Sequence, residues 1–415
     1  MNHLSSKLLE DAKGRLSSQQ LVWKKSGLPA LGKRWSAYAE KMFELATAAT
    51  TPELVLNVAQ TQIGFEHRGN IHHEGKFTAL YERELKCEFP QWAGQLQGFA
   101  DFDHCAPETS YLHEGRPVSN VLFYLARIVL SCCAHLPNRP ETILEIGGGY
   151  GAPARLWMKN PIHRPQQYWI LDLPESLFFA EVILKKEFGA GVVHYVENPH
   201  GCRHEKIPSQ AKIVLCPVSS WPHLQEQEFD LVINTGSMQE MSEDWVDFYR
   251  DLLDKIRAGW FYSLNYFAQP VGSLWESGNL YSPRLSPSWQ TRFLNYNPAF
   301  VRMQADRNYL EAIYEKKGIV DDADRSRAIQ LICANRLPAG GALAELMEHL
   351  RFSSDLEDQI RVLQFAMELR PPPKEALWLA QQVLKDQAKV LELDRVRAWH
   401  HELSEARRQG VEGYH

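Results

Sequence analysis

A glycine-rich run at the end of a buried strand is the segment of this sequence best suited to hold a ligand. Leu144-Glu-Ile-Gly-Gly-Gly-Tyr-Gly151 joins a predicted strand to a helix that opens at Pro153. Glycines permit a positive φ and let the backbone lie directly against a ligand, while the first turn of the helix offers N–H groups. The run therefore predicts a site for a nucleotide-like cofactor.

The glycine spacing alone leaves two cofactor classes open. Gly147-x-Gly149-x-x-Ala152 satisfies the fingerprint of a dinucleotide site, and Asp172 lies near the expected distance for a ribose-binding acid. Glu145 favours a different ligand, because dinucleotide folds usually carry an apolar residue at this point of the strand. An acid there suits a cationic amine or sulfonium. An NAD-linked oxidoreductase remains the alternative.

Alternating strands and helices must position these residues. From about residue 137 the pattern predicts a parallel sheet with helices on its faces. The predicted strands are Thr142–Gly147, Gln167–Leu173, Gly191–Val196, Lys212–Pro217, Phe229–Asn234 and Gly259–Phe267, and the predicted helices are Pro153–Lys159, Pro174–Phe188 and Glu243–Arg257. Because open α/β sheets bind ligands at the carboxyl ends of their strands, Asn234, Thr235 and Gly236 should lie beside the glycine loop. Phe300–Met303 and Tyr309–Lys316 are predicted to close the sheet as an antiparallel pair.

Four motifs in this order resemble the class I S-adenosylmethionine-dependent methyltransferases. They are Glu145-Ile-Gly-Gly-Gly-Tyr-Gly, Ile170-Leu-Asp-Leu-Pro-Glu175, Asn234-Thr-Gly-Ser-Met-Gln-Glu-Met241 and Tyr262-Ser-Leu-Asn265. More narrowly, they are similar to the sugar O-methyltransferases of bacterial polysaccharide loci, over roughly residues 110 to 318. The resemblance implies a Rossmann-like sheet, S-adenosylmethionine as the cofactor, and a sugar hydroxyl as the methyl acceptor.

The same resemblance implies the residues that bind the cofactor. Asp172 would accept hydrogen bonds from the ribose hydroxyls, and Leu173 would lie against the adenine. Ser219 or Ser220 would meet the adenine amine, although many members of the fold carry an acid there. The other implied cofactor-binding residues are Glu145, Gly147, Gly149, Tyr150, Gly151, Asn234, Thr235 and Gly236.

A sugar hydroxyl is a poor nucleophile at neutral pH, so its methylation calls for a base. Glu240 is the first candidate, because it follows the fourth strand by a few residues. It could instead serve as a first-turn acid of the helix near Glu243. Histidines are a further alternative, at positions 72, 73, 104 and 113. The alternative acceptor with the same cofactor is an amine of a small molecule or a peptide, which would need less assistance.

The acceptor contacts are predicted in a stretch rich in proline, serine and asparagine that follows the last strand. They are Asn265, Arg284, Trp289 and Asn295, because aromatic rings cover the apolar faces of sugars while amides and guanidinium groups bind hydroxyls. The rings could equally close a core beneath a loop. No metal is predicted, since the acidic cluster of Asp321, Asp322 and Asp324 is typical of a turn and helix start.

Length and composition set the remaining expectations. The 415 residues suggest three regions: a mainly helical substrate cap over 1–136, the cofactor-binding domain over 137–318, and a helical region over 319–415. With 45 basic and 51 acidic residues and no long block of one sign, no nucleic-acid partner is expected. Seven cysteines without metal-ligand spacing, and no apolar run that spans a bilayer, favour a cytoplasmic protein without membrane insertion. The C-terminal helices are expected to form a homo-oligomer or to dock a glycan-assembly partner; a non-catalytic scaffold is the last alternative.

Overall fold

A computed structural model describes residues 2–23, 25–61, 76–99, 110–113, 116–119, 122–197, 206–266, 285–286, 288–296 and 309–317. The chain divides into two compact units, Met1–Ser263 and Leu264–His415. The helical region predicted over 319–415 lies outside the described residues, and so do Arg284 and the acidic cluster at 321–324. No helix in the described ranges is both long and apolar enough to cross a membrane.

The first unit is a mixed α/β structure. Its helices are α1 (Asn2–Trp23), α2 (Lys33–Ala48), α3 (Pro52–Thr61), α4 (Lys76–Glu88), α5 (Leu122–His135), α6 (Ala152–Lys159), α7 (Pro174–Phe188) and α8 (Glu243–Lys255). Its strands are β1 (Ser110–His113), β2 (Arg116–Ser119), β3 (Thr142–Ile146), β4 (Gln167–Asp172), β5 (Val193–Tyr195), β6 (Ile213–Pro217), β7 (Glu228–Thr235) and β8 (Arg257–Tyr266), of which β8 continues into the second unit. β1 and β2 form a separate antiparallel pair.

The main sheet of this unit has the strand order β5-β6-β4-β3-β7-β8. β5, β6, β4, β3 and β7 run parallel, which confirms the prediction of a parallel α/β sheet. The strand order reverses between β3 and β7, so the loops that follow them open on one crevice. Every residue of β6 is buried, as expected for a strand covered on both faces.

The N-terminal helices pack on α7. Leu9 and Leu16 of α1, Met42 of α2 and Val55 of α3 share an apolar cluster with Phe179. Burial of these side chains supplies the main attraction between the helices.

A buried ion pair fixes the register of this packing. Glu181 of α7 is fully buried, and it accepts hydrogen bonds from Arg15 of α1 at 3.0 Å and from Lys185 at 2.5 Å. A buried carboxylate is tolerable only when it is paired in this way. The first helix is therefore attached to the helix that follows β4.

The second unit contains an antiparallel pair formed by β9 (Trp289–Tyr296) and β10 (Tyr309–Lys316). The strand at Tyr309–Lys316 is confirmed, but the partner predicted for it was wrong, because β10 pairs with β9. β9 lies in a stretch that was interpreted as a loop from its sequence. It nevertheless carries Trp289, Thr291 and Phe293 at alternate positions, and aromatic and β-branched residues are favoured in strands. Phe300–Met303 lies outside the described residues.

Candidate active site

A cavity opens at the carboxyl ends of β3, β4 and β7. Its floor is formed by Gly147, Gly148 and Gly149 after β3, Asp172 and Leu173 at the end of β4, and Thr235, Gly236 and Ser237 at the end of β7. The parallel sheet brings these three chain segments together because their strands are neighbours. The cavity lies wholly within the first unit.

The glycine loop is held by hydrogen bonds within the protein. The φ angles of Gly147, Gly149 and Gly151 are 75°, 57° and 85°, in the left-handed region that favours glycine. The N–H of Gly147 donates to the carbonyl of Leu171 at 2.9 Å, and the N–H of Gly151 donates to the carbonyl of Gly148 at 2.9 Å. Gly149 N–H donates to Asp172 Oδ2 at 2.8 Å. Three N–H groups of the loop are thus engaged by protein acceptors.

Gly148 is the tightest point of the loop. A Cβ atom at this residue would lie 2.7 Å from Glu145 Oε2 and 2.8 Å from Ile170 Cγ2. Real Cβ atoms do not approach that closely, so a side chain there must displace the Glu145 carboxyl group or the backbone.

We expect Gly148→Ala to lower the affinity for the cofactor by about tenfold and the unfolding free energy by about 1–3 kcal/mol, the usual cost of overpacking. Gly191→Ala is the matched control, because a Cβ there meets nothing within 4 Å. Titration calorimetry and thermal unfolding of the two variants test this. Equal behaviour of the two variants would contradict the close approach at Gly148.

Asp172 is fixed by two backbone donors. Gly149 N–H donates to Oδ2 at 2.8 Å, and Leu173 N–H donates to Oδ1 at 2.6 Å. Burial raises the pKa of Asp172 to about 6, and these hydrogen bonds limit the rise because they favour the ionised form. The N-cap residue of α7 is Leu173, so the carboxylate of Asp172 does not cap that helix. It is held facing the cavity, ready to accept hydrogen bonds from a ligand.

Glu145 is buried in the centre of the sheet, opposite Ile170 of β4 and Ile233 of β7. Its Oε2 accepts a hydrogen bond from Tyr168 Oη at 3.0 Å, and its Oε1 has no hydrogen-bond partner among the described residues. Burial raises the pKa of Glu145 to about 8, and the nearby Asp172 adds to the rise. Glu145 therefore lines the cavity as a carboxyl group with one unoccupied oxygen.

Both carboxyl groups make the ligand-free protein sensitive to pH. Their pKa values in the folded state, about 6 and about 8, lie above the unfolded values of 3.8 and 4.5. The folded protein therefore retains protons that the unfolded chain releases. The contribution of these protonated groups to the unfolding free energy is lost as pH rises through the folded pKa values.

We expect the Tm of the ligand-free protein to fall between pH 6 and pH 8.5 through Glu145, with a shallower fall in Glu145→Gln. Glutamine keeps the acceptor for Tyr168 but cannot ionise. Thermal unfolding across this pH range checks the difference, with Glu44→Gln, an exposed acid of α2, as the control. Parallel pH profiles for wild type and Glu145→Gln would contradict the assignment.

The turn after β7 is shaped by Asn234. This fully buried side chain donates from Nδ2 to the carbonyl of Ile146 at 2.8 Å and to Ser237 Oγ at 2.6 Å, and its Oδ1 accepts Met238 N–H at 3.3 Å. Asn234 thus ties the β7 turn to the end of β3 and does not line the cavity. Thr235 and Gly236, predicted beside it, do line the cavity.

Glu240 lines the cavity from a 3-10 turn, Met238–Glu240, that precedes α8. The N-cap of α8 is Ser242, so Glu240 lies before the helix and not in its first turn. The backbone carbonyl of Glu240 accepts a hydrogen bond from Trp35 Nε1 at 2.9 Å. An acid that lines the cavity is thereby held by the N-terminal region.

Two indole groups join the N-terminal segment to this wall. Besides the Trp35 bond, Trp245 Nε1 donates to the carbonyl of Ala30 at 3.2 Å. Trp23 stacks on Trp245 with ring centroids 5.6 Å apart and an interplanar angle of 7°. The upper wall of the cavity consequently includes lining residues that sequence reasoning missed: Leu31, Gly32, Trp35, Tyr124, Leu125, Ser176, Met241, Ser242, Trp245 and Tyr249.

Several predicted site residues lie elsewhere. Ser219 is buried in a 3-10 segment after β6, and neither it nor Ser220 lines the cavity. Gly151 caps α6 and lies behind the lining surface, whereas Tyr150 and Leu173 line it. Asn265, Trp289 and Asn295 belong to the second unit, so their contact with an acceptor stays a prediction.

The charge of the cavity has one sign. Among the described residues that line it, three carry carboxyl groups, Glu145, Asp172 and Glu240, and none is lysine, arginine or histidine. The described residues contain no group of three or more side chains placed to bind a metal ion. A cavity of this charge favours a ligand that carries a positive charge.

No family model matches the chain, and a search of curated proteins finds no match. One similar solved structure is Haemonchus contortus phosphoethanolamine N-methyltransferase 1 in complex with phosphoethanolamine and S-adenosylhomocysteine. The match has 13% identity and a TM-score of 0.31, and it covers 62% of this chain and 52% of that protein, about half its length. M. capricolum TrmK in complex with S-adenosylhomocysteine is similar over 67% of this chain and 97% of its own, with 12% identity and a TM-score of 0.34. Mycolic acid cyclopropane synthase CmaA1, complexed with the same compound and CTAB, covers 57% of this chain and 98% of its own, with 10% identity and a TM-score of 0.32. Identities and TM-scores this low do not assign a reaction.

Proposed function

We propose that this protein is an S-adenosylmethionine-dependent O-methyltransferase whose acceptor is a sugar hydroxyl. The observation that carries the proposal is a cavity at the switch point of the sheet, lined by three carboxyl groups and no basic side chain. S-adenosylmethionine carries a sulfonium and an ammonium, so its positive charge complements these groups. Asp172 and Leu173 would hold the adenosine, and Glu145 with the glycine loop would face the methionine part.

The geometry of the loop favours this cofactor over a dinucleotide. A pyrophosphate is held by free backbone N–H groups at a glycine loop and helix N-terminus. Here the N–H groups of Gly147, Gly149 and Gly151 are taken by protein acceptors, and the carboxylate of Asp172 would repel a phosphate. The NAD-linked oxidoreductase is therefore the weaker alternative.

The cofactor supplies a methyl group on a sulfonium, whose sulfur leaves as a neutral thioether without acid assistance. The protein must align the acceptor oxygen with that methyl group and remove the hydroxyl proton. Glu240 is assigned as the base, because this residue lines the cavity while its backbone carbonyl is held by Trp35. As the new C–O bond forms, the hydroxyl proton passes to the carboxylate of Glu240.

The acceptor proposal draws on the upper wall of the cavity. Trp35, Trp245 and Tyr249 are aromatic residues that line the same cavity as Glu240. Flat apolar faces flanked by a polar group suit a sugar ring, and the motif resemblance to sugar O-methyltransferases points the same way. A precursor of a bacterial polysaccharide is the acceptor class we favour. An amine acceptor is the second candidate, since the acidic lining also favours a cation.

The test is S-adenosylhomocysteine formation with a panel of neutral glycosides, nucleotide sugars and amines, followed by product mass and linkage determination. A methyl ether on a sugar supports the proposal. A methylated amine with no sugar product would replace the acceptor, and NAD reduction in place of methyl transfer would replace the reaction class.

A further inference from the structure

Glu145 combines three features that a merely structural acid in this sheet does not need. It is 1% exposed, it lines the cavity, and its Oε1 has no hydrogen-bond partner among the described residues. Its other oxygen is held by Tyr168 Oη at 3.0 Å. A buried ionised carboxyl group with one bare oxygen is costly, so the group must either carry a proton or meet a cation.

Among the described residues, no cation acts on Glu145 to stabilise its ionised form. The titratable groups that act on it from β4 are Tyr168 and Asp172, and β7 presents the apolar Ile233 opposite it. Cys132 of α5 acts on Tyr168 and not on Glu145 directly. The other titratable residues in the described lining are Glu240, another acid, and the tyrosines Tyr124, Tyr150 and Tyr249. Within the part of the chain that the structure describes, every titratable neighbour of Glu145 is therefore neutral or becomes negative, and the ligand is the source of positive charge that we consider.

We infer that Glu145 is the residue that selects the cationic cofactor, because it exchanges its own proton for the positive charge of the ligand. Before binding, the group is a neutral carboxylic acid. On binding, its O–H bond breaks, the proton passes to solvent, and the carboxylate pairs with the ammonium or sulfonium. This inference rests on the proposed function and adds to it a charge-specificity residue.

The exchange has a consequence for selectivity. A neutral analogue cannot compensate an ionised Glu145, so it binds the protonated form and releases nothing. A cationic ligand gains the charge pair in a buried site, where such an interaction is stronger than in water. The preference for a cation over a neutral analogue should therefore increase as pH rises toward the pKa of Glu145.

The experiment is calorimetric titration in two buffers with different ionisation enthalpies, which gives the number of protons released per bound ligand. The ligands are S-adenosylmethionine, S-adenosylhomocysteine, which has the ammonium but no sulfonium, and 5′-methylthioadenosine, which has neither. Since the pKa of Glu145 is about 8, wild type should release a large part of one proton per S-adenosylmethionine at pH 7.5 beyond the Glu145→Gln baseline, and progressively less as pH rises above that pKa. Subtracting that baseline removes protons exchanged by the ammonium of the ligand.

Three variants make the assignment specific. Glu145→Gln keeps the acceptor for Tyr168 and should abolish the extra release, with a loss of S-adenosylmethionine affinity of about tenfold or more. Asp172→Asn should retain an extra release but shift it to lower pH, because Asp172, with a pKa of about 6, is already ionised at pH 7.5 and its charge helps to raise the pKa of Glu145. Tyr168→Phe removes the donor that favours ionised Glu145, so its release should persist to higher pH.

Equal proton release by wild type and Glu145→Gln would overturn the inference, and so would equal release with 5′-methylthioadenosine, or a Tyr168→Phe profile identical to wild type. Tight binding without release leaves the methyltransferase proposal intact. Failure of all three ligands to bind contradicts the proposed function itself.

Discussion

Replacing Glu240 by glutamine should lower kcat for methyl transfer to a sugar hydroxyl by about 10²–10⁴-fold, the usual contribution of a positioned base. The affinity for S-adenosylhomocysteine should change by less than about twofold, because the amide keeps the size of the side chain and the assigned cofactor residues lie on the floor of the cavity. Initial rates of S-adenosylhomocysteine release and calorimetric titration separate the two effects.

The control for this variant is Asp244→Asn. Asp244 is an exposed acid of α8, four residues from Glu240, and it does not line the cavity. It should leave kcat unchanged. Normal turnover in Glu240→Gln would remove Glu240 as the base.

The second large effect is expected for Asp172→Ala, which should weaken binding of S-adenosylhomocysteine by roughly 10²–10³-fold. Two hydrogen bonds from ribose hydroxyls to a charged acceptor contribute about 1.5–3 kcal/mol each. The change also leaves the N–H groups of Gly149 and Leu173 without their acceptor, so the floor of the cavity loses its order. Titration calorimetry measures the affinity.

Asp230→Ala is the matched control for the structural part of that effect. The carboxylate of Asp230 also accepts two backbone N–H groups, from Glu141 at 2.8 Å and Thr142 at 2.9 Å, but it lies at the opposite end of β3 and does not line the cavity. This variant should lose stability and keep the affinity for the cofactor. Equal loss of affinity in both variants would mean that Asp172 acts through folding and not through the ligand.

The sheet and its glycine loop could be predicted because each rests on local sequence. Strands covered on both faces are continuous apolar runs, and glycine or proline marks where they end. The helix predicted over Pro174–Phe188 has those bounds in the structure, and the strand predicted from Thr142 ends one residue early, at Ile146. Glu145 and Asp172 could be predicted as site residues because a carboxyl group at the end of a buried strand is unfavourable unless a hydrogen bond or a ligand compensates it.

The upper wall of the cavity could not be predicted, because it is formed by contacts between distant segments. Trp35 meets Glu240 across 205 residues of sequence, and Trp245 meets Ala30 across 215. Nothing local to a tryptophan reveals which carbonyl its indole will reach. The signal for α1 was present but weak, since Leu9, Ala12 and Leu16 recur at helical spacing on a helix whose Leu21 is 65% exposed.

The contact predicted between Ser219 and the adenine amine was carried over from the position of this residue after a strand. Ser219 follows β6 as expected, yet its segment is a 3-10 helix that buries the serine away from the cavity. A position after a strand is readable from sequence, whereas the direction of its side chain depends on how the following turn packs.

The central claim is that the cavity binds S-adenosylmethionine, and calorimetric titration of the purified protein with S-adenosylhomocysteine, with NAD in parallel under the same buffer and temperature, tests it most directly. The acidic lining and the occupied N–H groups of the glycine loop predict micromolar binding of the thioether and no binding of NAD. Binding of NAD alone would contradict the account, and binding of neither would favour a protein that has kept the fold without the reaction.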